Sequence, residues 1–334
     1  MKKKKVGVLR GGPSSEYEVS LATGANVLNA IRGKLADKYI AYDVLIDKKG
    51  QWHIDGMTVE PKDAVKRFDV AFLALHGAYG EDGKIQQFFE MLGVPFTGSG
   101  SIASAVGMNK VLTKKVFKDH GIKTPANLVV KSALIKKNSA VGVEIGDGAE
   151  KVAQDIFKTF SMPVVVKPVS AGSSVGVSIA RDMKELAKGL KEAAKHDEEV
   201  LIEEYIKGVE ATVGVIDGFR GEKIYVLPAV EIVPKTEFFD FAAKYEGKSD
   251  EIVPARFSNK VKDELSDLAR KVHKAVGLRH YSRSDFIIHP KRGIYVLEVN
   301  TLPGLTNESL MPKSLRAVGS DTHELIDHLI QLAH

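Results

Sequence analysis

The sequence predicts a three-domain chain of α/β and α+β construction, with a parallel-sheet α/β domain first and two α+β domains after it. Three observations predict it. At 334 residues the chain exceeds what one hydrophobic core normally supports. Its first hundred residues alternate short buried strands with an amphipathic helix. The remainder pairs strands around small-residue loops and turns, with one-faced helices between them.

The bulk properties narrow the function class. A hydrophobic content of 44% with 27% charged residues is that of an ordinary globular protein. The net charge of +5 is modest, and its densest cluster, the lysines at 2–5, reads as the solvated start of a strand. Without a basic stripe interleaved with aromatics, nucleic acid is not an expected partner. The absence of cysteine excludes a disulfide scaffold, a thiolate metal site and a Cys nucleophile together. The ten histidines show no paired metal-ligand spacing. The apolar stretch after the lysines is broken at Arg10 and Gly11, unlike a signal peptide. No window approaches the ~18 apolar residues of a membrane span. The expectation is a cytoplasmic enzyme without a membrane partner.

In the first domain, residues 6–9 form a short apolar strand and GGPSSE at 11–16 a tight loop. Val19, Ala22, Val27 and Ile31 then mark a helix over 18–31. Further buried strands are expected at 39–46 and 70–75, the second running into HGAYGEDG at His76. Ligands of open α/β sheets bind beyond the carboxyl ends of strands, which is where Glu16 and His76 stand. A histidine after a strand is more often a structural hydrogen-bonder. GSGSIA at 98–103 imitates a dinucleotide fingerprint, but Pro95 interrupts the strand before it. It reads instead as the linker into one helix over 102–120 that carries Lys110. A boundary is expected near Gly100, giving units 1–104, 105–204 and 205–334.

The second unit should hold a strand at 127–130, a polar region to about 148, a helix over 152–160, and then VVVKPVSAGSSVGVSI at 164–179. That stretch reads as strand, small-residue loop, and second strand from Val175. Such a loop exposes many backbone N–H groups, and Ser173 and Ser174 add hydroxyls beside the Lys167 ammonium. Donors oriented around one cation suit a polyphosphate, although loops of this composition are more often plain turns. Residues 172–176 also fit the G-x-S-x-G elbow of a serine hydrolase. That elbow needs a helix directly after the serine; β-formers follow here, so the nucleophile reading is discounted. A helix over 183–194 and a strand over 200–206 complete the unit. Glu203 and the strand's backbone edge could meet a base and Glu210 a sugar hydroxyl; solvated acids on an edge strand are the equal alternative.

In the third unit, strands around Val213 and Val226 precede a long polar stretch at 234–254 containing Phe238, Phe239, Lys244 and Tyr245. Loops beyond ~12–15 residues are uncommon and usually functional, so it reads as a lid. Within it, GKS at 247–249 ends like a P-loop but has Ala242 where the first glycine belongs. Val261, Leu265, Leu268, Val272 and Val276 mark a helix with one apolar face. Residues 283–288 and 294–300, joined by a turn at 289–293, should pair as a hairpin that sets Asp285 near Glu298. Glu298 shares a face with Asn300, and Arg283 with Asp285. Three hard oxygen ligands suit Mg²⁺. Acids facing solvent are the alternative, weakened by Phe286, Ile288, Val296 and Leu297, which indicate strands buried on both sides. There, two carboxylates and an arginine must compensate one another or bind an ion.

Taken together, GGPSSEYEVS at Gly11, HGAYGEDG at His76, GMNK at Gly107, VVVKPVSAGSSVGVS at Val164, FFDFAAKY at Phe238, SRSDF at Ser282 and LEVNTLPGLTNESLMP at Leu297 resemble the D-alanine–D-alanine ligases of the ATP-grasp superfamily. The resemblance implies a three-domain ATP-grasp fold with nucleotide held between the two α+β domains. It also implies ATP and Mg²⁺ (or Mn²⁺) as cofactors, D-alanine as substrate, peptidoglycan precursor as product, and a homodimer. By the same resemblance Glu16, Ser173 and Tyr245 orient the first D-alanine, with His76 bordering it. Arg283 and the Gly304 backbone stabilise the oxyanion, and Ser309 with the Leu310 backbone holds the second D-alanine. Lys110, Lys167, Ser174 and Lys244 serve the phosphates; Glu203, Ile206 and Glu210 serve adenine and ribose; Asp285, Glu298 and Asn300 serve the metal. Tyr245 favours an amide product over a D-lactate ester, and 131–148 departs from the family pattern. A relative using D-lactate or D-serine as acceptor, and a nucleotide-binding module without turnover, are the alternatives.

Overall fold

A computed structural model describes residues 2–136, 148–172, 174–234 and 249–333. Ser173 and 235–248, which include Lys244 and Tyr245, lie outside the described residues. Strands β1 (Lys4–Gly11), β2 (Tyr39–Ile46), β3 (Trp52–Ile54), β4 (Met57–Val59) and β5 (Val70–Leu73) form the first sheet, in the order β4-β3-β2-β1-β5. Strand β1 pairs in parallel with both β2 and β5, while β3 and β4 add an antiparallel edge. The helix Tyr17–Arg32 returns the chain from β1 to β2, burying Val27, Leu28 and Ile31.

The second sheet joins β6 (Asn127–Lys131), β7 (Val164–Pro168), β8 (Ser178–Ala180) and β9 (Glu199–Glu204), all antiparallel, in the order β6-β9-β7-β8. Helices Gly148–Thr159 and Met183–Ala193 supply its apolar cover, with Leu186 and Leu190 packed on Val164, Val166 and Ile202. Asp182 caps the second of these helices by accepting from the Glu185 N–H.

The third sheet contains β10 (Val209–Asp217), β11 (Ile224–Val226), β12 (Val230–Pro234), β13 (Ser249–Ile252), β14 (Tyr281–His289) and β15 (Gly293–Asn300). Its main path runs β13-β12-β10-β14-β15, with β11 paired to β10. The helix Asn259–Ala275 buries Leu265, Ala269 and Val272 in the core of that sheet. Helices Leu310–Ala317 and Thr322–Leu332 then turn back to the start of the chain. Leu315, Leu325 and Ile330 share one apolar core with Val6, Leu9 and Phe72.

Several expectations are corrected. The single helix over 102–120 is two helices, Ser101–Met108 and Lys110–Asp119. Asn109 between them is extended, and its side chain accepts from the N–H groups of Val111 and Leu112, so one cap ends the first helix and starts the second. The strand after the small-residue loop begins at Ser178, not Val175, because Ser174 and Gly176 have φ of 58° and 71°, left-handed values that a strand excludes. The stretch 234–254 is not irregular at its ends: Pro234 pairs with Ser249 in a β12–β13 hairpin. Strand β9 is not an edge, since β6 and β7 flank it. Last, the β14–β15 hairpin is covered on both faces but unevenly, Tyr281 and Tyr295 being buried on the face of Arg283. Ser284, Phe286 and Val299 are buried, whereas Arg283, Asp285, Glu298 and Asn300 are half-buried on the other.

Replacing Asn109 by Ala removes the acceptor for two amides and should lower unfolding stability by about 1 kcal/mol. A urea titration showing no change in midpoint would contradict this account of the helix break.

Candidate active site

Three loops meet around Glu16. Strand β1 ends at Gly11, whose φ is 91° and where a Cβ would lie 2.2 Å from the Ile46 carbonyl oxygen, so only glycine lets β1 turn this close to β2. Ser20 locks the turn: its hydroxyl accepts from the Gly11 N–H at 2.8 Å and donates to the Ala74 carbonyl at 2.7 Å. Glu16 therefore stands at the head of the helix Tyr17–Arg32. Gly77, after β5, and Gly172, in the loop after β7, approach it from either side. A Cβ would lie 3.2 Å from Glu16 Oε1 at Gly77 and 2.3 Å from it at Gly172. One carboxylate is thus reached by glycine-backed loops from two sheets.

His76 is buried beside this point and shares a 2.8 Å hydrogen bond with Thr23 Oγ1. Burial pushes its pKa down to about 4, helped by the Arg283 charge and opposed by a hydrogen bond to the Leu302 backbone, so the ring is neutral at physiological pH. Glu81 was not singled out from the sequence although HGAYGEDG contains it. Its Oε2 accepts from the Gly77 N–H at 2.7 Å and its Oε1 from the Leu302 N–H at 3.3 Å, which ties the His76 loop to the loop after β15. Burial, then the charge of Glu16, push Glu81 up to about 8.

The β14–β15 register places Arg283 opposite Asn300 and Asp285 opposite Glu298. Arg283 donates to both Asp285 oxygens, Nε to Oδ1 at 3.0 Å and NH2 to Oδ2 at 3.1 Å. Thr212 on β10 donates to Oδ1 at 2.5 Å, and Asn300 Nδ2 to Oδ2 at 3.3 Å. Burial alone would lower the guanidinium pKa; the carboxylates of Asp285, Glu298 and Glu81 outweigh it and hold Arg283 firmly charged. Lys110 Nζ lies 3.9 Å from Glu298 Oε2 and donates to the Ala171 carbonyl at 2.7 Å, joining the hairpin to the small-residue loop.

Deeper in the second unit, Glu203 is gripped by two lysines, with Lys114 2.6 Å from Oε1 and Lys167 2.7 Å from Oε2. It is buried, so the solvated-acid alternative fails. With β9 paired on both sides, unpaired backbone near it begins only after Glu204, at Tyr205 and Ile206. Lys114 was also missed, although it lies one helical turn after Lys110. Glu210 on β10 pairs in register with Ile232 and Ile287. Ser174 sits in a turn whose carbonyl accepts from the Val177 N–H. Ser309 precedes the helix Leu310–Ala317; its Oγ accepts from the Thr306 N–H at 3.1 Å and would lie 2.8 Å from a Cβ at Gly304. Gly304 and Ser309 thus stand together at the start of that helix.

A divalent metal was expected on Asp285, Glu298 and Asn300. Two carboxylates and one amide give hard oxygen donors on adjacent positions of one hairpin face, and the donor set fits Mg²⁺. Asn300 would turn its amide to present oxygen in place of the N–H it now gives Asp285.

The His76 ring sets a pH signature. Its native pKa of about 4 lies below the unfolded value of 6.5, so on acidification the unfolded chain takes up the proton first. Stability should fall between pH 6.5 and 4, by up to roughly 3 kcal/mol from this group. In His76→Gln the urea midpoint should fall less steeply across that window than in the unaltered protein; equal slopes would contradict the buried, neutral assignment.

The profile described as "D-ala D-ala ligase N-terminus" matches residues 5–64 and 53–99, and that described as "D-ala D-ala ligase C-terminus" matches 116–331. The chain is 41% identical to a D-alanine–D-alanine ligase of Geotalea uraniireducens, over all of this chain and 96% of that one. It is 38% identical to one from Pelotomaculum thermopropionicum, over 98% of this chain and 96% of that one. Its fold is similar to the VanG D-Ala:D-Ser ligase from Enterococcus faecalis, with a TM-score of 0.83, 29% identity and 99% coverage of both chains. It is also similar to the D-alanine–D-alanine ligase from Coxiella burnetii, with a TM-score of 0.80, 26% identity, and coverage of 99% of this chain and 94% of that one. With both profiles matched in order along a site whose loops converge on Glu16 and Arg283, the chain belongs to the D-alanine–D-alanine ligase family.

Proposed function

We propose that this protein joins two D-alanines into D-alanyl-D-alanine for peptidoglycan precursor synthesis, with cleavage of ATP to ADP and phosphate. The observation that carries the reading is a chain of contacts across the units: Gly77 and Gly172 approach Glu16, Lys110 ties the loop of Gly172 to Glu298, and Arg283 grips Asp285 on that same hairpin.

Glu16 takes the ammonium of the first D-alanine, beside the loops of Gly77 and Gly172. Ser173 and Tyr245 orient it, and the neutral His76 borders it. A carboxylate oxygen of this alanine attacks the γ-phosphorus, forming an acyl phosphate as the bond to ADP breaks. Phosphoryl transfer needs charge compensation more than covalent help, and Lys110, Lys167, Lys244 and the hydroxyl of Ser174 supply donors along the phosphates. Asp285, Glu298 and Asn300 would hold Mg²⁺ (or Mn²⁺), which when bound supplies further positive charge. Glu203, the Ile206 backbone and Glu210 border the adenine and ribose.

Ser309 and the Leu310 amide hold the carboxylate of the second D-alanine. Its amine adds to the acyl carbon, and the developing oxyanion is met by Arg283 and the Gly304 N–H. The C–O bond to phosphate then breaks, and phosphate leaves with the oxygen that the first alanine contributed. The stretch between β12 and β13, read from the sequence as a lid, would keep water from the acyl phosphate.

Units 1–104, 105–204 and 205–334 serve as the first-substrate domain and the two halves that hold nucleotide. Reliance on ATP suits the cytoplasm, and a homodimer is carried over with the family resemblance. Among the described residues no helix is long and apolar enough to cross a membrane. Likeness to a D-Ala:D-Ser ligase keeps D-serine as the second reading for the acceptor.

Phosphate release from ATP should require D-alanine, L-alanine giving none, and mass analysis should return the D-alanyl dipeptide. Release only when D-serine is added would move the reading to that acceptor, and no release with either would overturn it. Arg283→Ala should lower kcat by roughly 10²- to 10³-fold through loss of the oxyanion partner. Unchanged turnover in that variant would remove Arg283 from the chemistry.

A further inference from the structure

Lys114 is a buried cation for which the chemistry above has no use. It reaches inward from the helix Lys110–Asp119 with 4% of its surface exposed, and meets Glu203, 2% exposed, and through it Lys167, 7% exposed. Its Nζ lies 2.6 Å from Glu203 Oε1 and donates to Thr124 Oγ1 at 2.6 Å, so the ammonium is held from two sides. Lys167 approaches the opposite oxygen, Oε2, at 2.7 Å. Each lysine has its own oxygen of the carboxylate.

We infer that Lys114 is a positioning residue for nucleotide binding, holding the Glu203 carboxylate neutralised so that Lys167 is free to leave it for a phosphate of ATP. The inference rests on the reading of Lys167 as a phosphate ligand. Removing the only partner of a buried carboxylate is strongly unfavourable, because the charge is left without water or counter-ion. With one lysine on Glu203, drawing that lysine to ATP would expose this penalty in full. With two, one leaves and the other stays. The triad carries one more positive than negative charge, which an arriving phosphate offsets. Burial, set against the pull of Glu203 and helped by the Lys167 charge, lowers the Lys114 pKa to about 8, in keeping with that surplus. The two lysines also differ in mobility. Lys114 is tied to Thr124, ahead of β6, whereas Lys167 stands on β7 next to the small-residue loop that the nucleotide would meet.

The test is a double-mutant cycle read by calorimetric binding of a non-hydrolysable ATP analogue with Mg²⁺. Lys114→Met should weaken binding by at least about tenfold, a coupling of the size that buried neighbours show. In a Glu203→Gln background, where no buried carboxylate remains to be neutralised, the same substitution should change binding less than about twofold. Lys114→Arg should keep most of the affinity, and the KM for D-alanine should stay the same throughout. A merely structural lysine would lower binding by the same factor in both backgrounds. That result, or unchanged binding in Lys114→Met alone, would overturn the inference. Should Lys114→Met fail to fold, the Glu203→Gln pair remains: a further tenfold loss on adding Lys114→Met there would contradict the inference equally. No binding by the unaltered protein would instead remove the ATP reading on which the inference stands.

Discussion

The Arg283–Asp285 pair is the interaction on which the rest of the site depends. Two carboxylates on one half-buried sheet face repel, and without a cation the β14–β15 hairpin could not hold Asp285 opposite Glu298. Arg283, two residues before Asp285 on the same strand, grips both of its oxygens, while Thr212 and Asn300 take the remaining lone pairs. The pair keeps the guanidinium charged and fixes its direction. A fixed guanidinium can face an oxyanion without rearranging as charge develops, and such preorganisation is the largest resource open to this kind of reaction.

Around that fixed point the molecule brings backbone rather than bulk. A Cβ would meet the Ile46 carbonyl oxygen at Gly11, the Ser14 hydroxyl at Gly77 and a Glu16 carboxylate oxygen at Gly172, so glycine at these three positions lets the loops approach Glu16 closely. Polar side chains that cross between units make the closure specific. Glu81 clamps the His76 loop to Leu302, Lys110 bridges the hairpin and the small-residue loop, and the last helix returns to pack on the first sheet. Coupling binding in one unit to geometry in another needs contacts of this kind.

Much of this was legible in the sequence, and the misses have physical causes. The strand at 39–46 follows from its apolar run and the helix from Met183 from its 3.6-residue period. The hairpin of Arg283, Asp285, Glu298 and Asn300 follows from turn chemistry and face alternation alone. The break at Asn109 was hidden because the apolar pattern continues through it, and the late start of β8 because Val175 and Val177 are good strand formers while Gly176 sets the backbone. No helix was expected over Leu310–Ala317, although the motif that ends at Pro312 enters it, and Thr322–Leu332 carries apolar spacing but no chemistry-bearing motif. Glu81 and Lys114 act through Leu302 and Glu203, far away in the chain, and no local pattern reports a partner at that separation. Lys167 and Glu203 were legible as residues but not as a pair, since the antiparallel register of β7 with β9 sets their approach.

The central claim is that the carboxylate of one D-alanine is phosphorylated before the peptide bond forms. D-alanine labelled with ¹⁸O in both carboxylate oxygens tests it directly, by mass analysis of the phosphate released. The mechanism predicts one ¹⁸O in each phosphate, because the alanine oxygen that attacks phosphorus departs with it. Phosphate free of label would contradict the acyl phosphate and with it the roles of Arg283 and Gly304.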